Sequence, residues 1–347
     1  MMAGMAFSTD RLLQEAPPVE VCNDSAYYFP LAHGRYDVKP GLVPLGTDFG
    51  NGQADRQVFQ FDSGFAHYRQ VKQAARAERL SKYYQTANYT ETVASAIARL
   101  IVHRLVQEQP QQFQLTAQTD GTLSVYSQLT GETLYLDAAY QLQQVQAVKP
   151  IVPPYVSTFD ALASQLQEDV TIVSRSGDDH WMSAIHLCYP NHWSAEAKIG
   201  RDFATVHAPV AGMAAINQSG KAIVQTMIAR KPSVRFAWGL STDTRLNHHP
   251  VPPTGVAIDT WQGRAFNPRQ PQLYLRIERQ VVWGLPDCDA ALFTIRTYFR
   301  DCHAIKQDPK LNASLVAALH SMPPNSLLYK GLDASKEAIV AWLTQEL

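Results

Sequence analysis

Two stretches within the first 150 residues repeat their apolar positions every three or four residues. Residues 65–84 predict a helix on which Arg69, Lys72, Arg76, Arg79 and Lys82 recur at helical spacing. Such a stripe reads first as a solvated face and second as a surface for an acidic partner. Thr90 stands where a second helix needs a cap, ahead of an apolar stripe of Val93, Ile97, Leu100, Ile101 and Leu105. Residues 27–45 are rich in Pro and Gly and predict an extended, turning segment. The period then drops to two. Residues 113–136 alternate around the turn pairs Asp120-Gly121 and Thr130-Gly131, the pattern of a small β-meander. The glutamine-rich stretches 107–118 and 141–146 read as polar filler.

Ile151-Val152-Pro153-Pro154 is the best boundary, because two prolines break helix and strand alike. Beyond it, residues 159–166 predict a short helix. Residues 168–175 and 180–189 predict two strands joined by Ser176-Gly177-Asp178-Asp179. Residues 193–230 read as helical or irregular, with Met213, Ile216, Ile223 and Met227 on one face and Pro232 ending the run. Three strand candidates follow at 234–241, 273–283 and 291–299, the first two separated by a Pro- and His-containing loop at 246–270. Two strands, a helical block and three more strands make the element order of a PAS-like fold. In that fold a five-stranded antiparallel sheet carries inserted helices over one face, with a ligand pocket between them. Residues 312–347 predict two short helices around Pro323-Pro324. The expected class is α+β: an N-terminal α/β extension (1–150), a PAS-like core (151–305) and a C-terminal helical segment (306–347).

With 347 residues, 46% of them apolar, the chain can bury a sizeable core and is long enough for two structural parts. A net charge of −1 gives no general attraction to nucleic acid or an anionic membrane, although local basic patches stay open. No stretch reaches the roughly 18 uninterrupted apolar residues of a membrane span. The N-terminal MMAGMAFSTDRLLQEAPP lacks the basic start and apolar run of a secretory signal, so a cytoplasmic protein is expected. Cys22, Cys188, Cys288 and Cys302 match neither zinc nor iron–sulfur spacing and read as reduced, mostly buried thiols.

There is no Walker A loop, no GxGxxG after a strand, no GxSxG and no HExxH, so nucleotide binding and the commoner hydrolase mechanisms lack their usual support. Eleven histidines are the main chemical resource. His180, His186 and His192 are spaced by six, but the last two straddle Pro190, which argues against a shared face. His248-His249 lies in a Pro-rich loop, as exposed histidines or as part of a metal site. His207 sits in IGRDFATVHAPVAG, inside the helical block. Two readings stand for it: a core histidine bonded to backbone, or a single neutral imidazole facing a pocket, as a haem iron needs for a proximal ligand.

Period-two geometry in LRIERQ puts Arg276, Glu278 and Gln280 on one face and Ile277, Arg279 and Val281 on the other. The next strand sets Thr294, Arg296 and Tyr298 opposite Phe293, Ile295 and Thr297. Charges two apart mark either an exposed face or a polar pocket lining. In a lining, arginines pair with cofactor carboxylates and Glu278 holds a cationic substrate by a charge-assisted hydrogen bond.

The stretches LCYPNHWSAEAKIGRDFATVHAPVAG, LYLRIERQVVWGLP, ALFTIRTYF and MPPNSLLYKGL resemble, in order and spacing, the haem-dependent oxidative N-demethylase family, long known as a domain of unknown function. Phe29-Pro30, Gly41-Leu42 to Leu45, and Gln167-Glu168-Asp169 extend the likeness over most of the chain, while residues 46–150 resemble the family only loosely. Asp37, Pro40 and the Gly46 to Asp55 insert depart from its pattern. The resemblance implies a PAS-like fold holding haem b. It also implies monooxygenase-type oxidative removal of a methyl group, using O2, from a small secondary amine such as dimethylamine, to give a primary amine and formaldehyde. Electrons would come from NADPH through a separate flavin and iron–sulfur reductase, and a folate-dependent partner would handle formaldehyde. The chain carries no motif for flavin, nicotinamide or an iron–sulfur cluster, in keeping with a haem component alone.

Carried onto this sequence, the resemblance makes His207 the axial ligand. Lys198, Arg276 and Arg296 become partners of the haem carboxylates, and Glu278 the acceptor for the substrate ammonium. A haem-binding sensor without turnover and a cofactor-free binding protein are the alternatives of another class.

Overall fold

The computed structural model describes residues 9–17, 24–119 and 121–345. Residues 1–8, Cys22 and Asp120, on which the leader, one thiol and one turn expectation fall, lie outside the described residues. Among the described residues the strands are β1 (Val43–Pro44), β2 (Tyr84–Thr86), β3 (Phe113–Ala117), β4 (Leu123–Ser127), β5 (Glu132–Leu136), β6 (Leu142–Ala147), β7 (Asp169–Ser176), β8 (Asp179–His186), β9 (Ser233–Ser241), β10 (Tyr274–Leu285) and β11 (Ala290–Asp301). They form two antiparallel sheets in a mixed helix and strand fold, one ordered β1-β9-β10-β11-β7-β8-β2 and the other β3-β4-β5-β6. The five strands expected after Pro154 are the central five of the larger sheet, which has seven because two short N-terminal segments pair with its edges. The smaller sheet is the expected meander plus β6. The supposed glutamine filler at 141–146 is therefore a strand, pairing through backbone groups that any side chain can accompany.

Local signals place the helices well. Thr90 accepts a hydrogen bond from the Val93 amide and opens the helix Glu91–Glu108, whose Val93, Ile97, Ile101 and Leu105 are buried. That helix, the meander and one side of the large sheet share a single apolar core across the Ile151 to Pro154 stretch. The helix Phe65–Tyr83 corrects the reading of the basic stripe. Lys72, Arg76 and Lys82 are buried rather than solvated. Arg76 donates two bonds of 2.8 Å to Asp160, Lys72 donates to the Ala163 and Glu168 carbonyls, and Arg69 pairs with Glu132. Acceptors distant in sequence make burial of these cations tolerable.

The block 193–230 breaks into short helices at Ala195–Lys198, Phe203–His207, Ala214–Asn217 and Gly220–Ala229. After β11 come helices Cys302–Gln307, Pro309–His320, Pro324–Tyr329 and Lys336–Thr344, more than the two expected of the tail. Among the described residues, no helix is long and apolar enough to cross a membrane.

Register decides which side chains share a face. Arg276 stands opposite Gly239, Glu278 opposite Ala237, and Gln280 opposite Arg235, while Glu278 meets Thr297 of β11 on its other side. One face therefore carries Arg276, Glu278, Gln280, Val282, Arg235, Ala237, Phe293 and Thr297. The other carries Ile277, Arg279, Val281, Phe236, Arg296 and Tyr298. The first face lies under the 193–230 block, where Val224 and Ile228 pack on Val282 and Ala291. The second packs against the N-terminal core and the C-terminal helices.

Candidate functional site

The roof over the first face is stitched to the edge of the sheet. Asp202 caps the helix Phe203–His207 by accepting from the Thr205 amide at 2.7 Å. The Phe203 amide donates to His180 Nε2 on β8 at 3.1 Å, and Met182 exchanges backbone bonds with Gly200 and Arg201. His207 is half-buried and lies against the Phe203 ring, with centroids 4.2 Å apart. Its Nδ1 lies 2.8 Å from the Phe203 carbonyl, which only accepts, so Nδ1 carries the proton and Nε2 keeps its lone pair. Burial favours the neutral ring, the nearby charges of Arg235 and Lys198 add to that, and the carbonyl bond opposes it. Lys198 donates to the Val206 carbonyl beside this ring.

Neither Phe203–His207 nor Ala214–Asn217 contains a buried residue, although Phe203, Val206, Ala214 and Ile216 are among their side chains. These two helices are only half covered, so they have apolar surface to spare for a ligand lying beneath or beside them.

The floor is polar. Glu278 accepts from Gln280 Nε2 at 3.1 Å and lies 3.8 Å from Arg276 Nε, its own side chain 14% exposed. Arg276 is buried and fixed. Its Nη groups donate to the Tyr189 carbonyl at 2.8 Å and, more loosely, to the carbonyls of Arg245 and Leu246 and to His248 Nδ1. Two cations that sequence reasoning missed join this floor. Arg235 donates to the Lys39 carbonyl at 3.3 Å. Lys330 reaches round the outer edge of β9 to the Trp238 carbonyl at 2.7 Å. Burial weakens the hold of both on their protons, and the charge of Glu278 opposes that in each. Lys330 stood within a quoted family stretch without a role. Arg235 was visible as the lone charge in an otherwise apolar strand, and register alone reveals that it shares the face of Glu278.

The remaining sequence candidates lie elsewhere. Arg296 is on the opposite face, 1% exposed, with its guanidinium on Asp62 at 2.6 Å and stacked between Tyr68 and Tyr298. It is not brought together with His207. His186 is buried against Asp160 at 3.2 Å. His248 and His249, allowed above to be exposed loop residues, are both buried. His248 is bonded to Asp243 at 2.9 Å, and His249 is bonded to backbone within its turn. Cys188 and Cys302 are buried and Cys288 is half-buried. Two cavities stand out and neither borders these candidates. One of about 760 Å³ is a trough along residues 141–158, and one of about 180 Å³ lies under Tyr84, Tyr89 and Phe159.

A family model described as haem-dependent oxidative N-demethylase, alpha subunit-like, matches residues 51–340. The chain belongs to that family. Membership brings haem dependence and oxidative N-demethylation as its class of chemistry. The residues present fit such a cofactor. A neutral imidazole with one free ring nitrogen is a donor that a haem iron can take, and the apolar, half-covered helices beside it would offer a porphyrin an apolar surface.

Proposed function

We propose that this chain removes a methyl group oxidatively from a small secondary amine of the dimethylamine type, giving a primary amine and formaldehyde. In this reading the protein is cytoplasmic and its core is PAS-like. The central strand order β9-β10-β11-β7-β8, with helices inserted after β8, supports that description. Haem b would be held between this sheet and the 193–230 block, where it would supply the oxygen chemistry. The observation that carries the reading is His207, with Nδ1 engaged and Nε2 open on a helix none of whose residues is buried.

Each side chain then has a task. The Phe203 carbonyl fixes the tautomer of His207 and its ring orientation. Lys198, beside it, and Arg276 on the floor are the partners for the haem carboxylates, while Arg296, engaged with Asp62 on the far face, serves the fold. Glu278 accepts the ammonium of the amine, because a charge-assisted bond is short and directional and orients the methyl group. Electrons reach the protein from NADPH through a separate flavin and iron–sulfur reductase, and a folate-dependent partner takes the formaldehyde.

An absorption spectrum of the purified protein, before and after haem and then dimethylamine, tests the proposal. A Soret band that shifts with the amine, and formaldehyde release once a reductase and O2 are supplied, are the expected results. His207→Ala should alter that band. A wild-type protein that takes up no haem ends the reading.

A further inference from the structure

The floor of the site holds one carboxylate among three cations. Arg276, Glu278 and Gln280 stand two residues apart on β10, so Arg276 and Gln280 lie about 7 Å to either side of Glu278 along the strand. Arg235 faces Gln280 across the pair, and Lys330 reaches the position that a side chain on Gly239 would occupy, 3.9 Å from that Cβ site. The cations are anchored by neutral carbonyls, which position them without offsetting their charge. Among the described residues, the Nε groups of Arg235 and Arg276 have no hydrogen-bond partner. Among the described residues Glu278 is the carboxylate whose charge acts on Arg235 and Lys330, and it shares Arg276 with Asp169 and Asp243; the residues facing it and Arg276 across the strand pair, Ala237 and Gly239, are small.

We infer that Arg235 and Lys330, with Arg276, form a carboxylate-binding site around Glu278. The inference rests on the reading of this face as the ligand face. A planar carboxylate is the group that two unpaired guanidinium N–H donors and an ammonium recognise best, and it offsets their mutual repulsion. Two sources carry that chemistry: a propionate of the haem, or the substrate itself, as an N-methylated amino acid. A zwitterion of the second kind would set its ammonium on Glu278 and its carboxylate on the flanking cations.

Arg235→Gln and Lys330→Met test the site, each followed in two arms. Haem affinity is read by Soret titration. N-methylglycine and dimethylamine affinities are read by calorimetry, which needs no colour. The expected result is a tenfold or greater loss for one carboxylate ligand, with dimethylamine bound as well as before or tighter, since each variant removes a cation near Glu278. A loss of haem affinity assigns the site to a propionate, and a loss confined to N-methylglycine assigns it to the substrate. A merely structural role would weaken amine and carboxylate alike, and Lys330→Arg would then fail to restore the carboxylate. Haem and N-methylglycine affinities within twofold of wild type in both variants, or equal loss of dimethylamine, overturn the inference. Failure of wild-type protein to take haem sinks the haem reading separately and leaves the N-methylglycine arm to decide.

Discussion

Gly284 is where the sheet and the roof meet most closely. A methyl group placed on it would stand 2.0 Å from the Ile228 carbonyl oxygen, and 2.6 Å from both the Ile228 carbonyl carbon and the Met227 oxygen. Non-bonded carbon and oxygen approach only to about 3.3 Å, so strand and helix must part by about 1 Å. All three obstructing atoms are backbone, so no side chain can rotate aside. Overpacking of this kind costs about 1–3 kcal/mol. The obstructed turn ends the helix Gly220–Ala229, whose Val224 and Ile228 seat the roof on Val282 and Ala291. Gly284→Ala should therefore both destabilise the fold and loosen haem binding. Gly239→Ala, on the neighbouring strand, is the control for stability, because its methyl group meets nothing nearer than Lys330 Nζ at 3.9 Å. Urea unfolding and Soret titration of the two variants beside wild type give the answer. A Gly284→Ala protein that unfolds at the wild-type midpoint, or a Gly239→Ala protein that suffers equally, refutes the reasoning.

Arg76→Met leaves the buried Asp160 carboxylate without its guanidinium, with only His186 and the Val156 amide on its oxygens, and should cost about 3–5 kcal/mol in denaturant unfolding. Arg79→Met, from an exposed pair with Glu196, should cost under about 1 kcal/mol, and equal costs would contradict the burial argument. Burial pushes the Glu168 carboxyl from 4.5 up to about 7, against the charge of Arg296 and the Gln60 amide bond. The folded state thus binds the extra proton between those values, and this group's contribution is complete below 4.5 and lost as pH rises through 7. Glu168→Gln keeps an acceptor for Gln60, so its stability advantage over wild type should grow from about pH 5 to pH 8, by on the order of 3 kcal/mol at most. Parallel pH profiles for the two proteins would rule that out. Glu278→Gln should weaken amine binding in a spectral titration while leaving the amine-free haem spectrum nearly intact, and unchanged amine affinity removes Glu278 from the role.

What could be read from the chain was whatever depends on near neighbours. Thr90 and its stripe announce a capped amphipathic helix because cap and stripe lie within a few turns. The strands β7 to β11 show themselves by period, and alternation correctly separates Glu278 from Arg279. Alternation is silent on how two strands register, and so it could not say that Arg296 turns away from Glu278 whereas Arg235 turns toward it. The basic stripe misled for a similar reason. The acceptors of Lys72 and Arg76 lie more than 75 residues along the chain, in and around the helix Thr158–Ala163, which only the tertiary fold brings alongside. The edges β1 and β2 are too short to show any period, and Lys330 arrives from beyond the sheet altogether.

The sheet has buried arginines on both faces, and access to solvent separates their roles. On the far face Arg279 and Arg296 are each 1% exposed, and the charge of the wholly buried Glu168 acts on both. They are locked further by the Gln57 carbonyl and by Asp62. Cation and carboxylate there were desolvated together on folding, and nothing from outside can reach them without unfolding the core. On the near face Glu278, Arg235 and Lys330 remain partly exposed, under a roof that buries little of itself. A surplus of cations tolerates burial poorly when it is permanent, but it costs less where water or an incoming anion can answer it. The face that keeps its charges unbalanced and its cover incomplete is therefore the one to which the proposed function assigns the ligand.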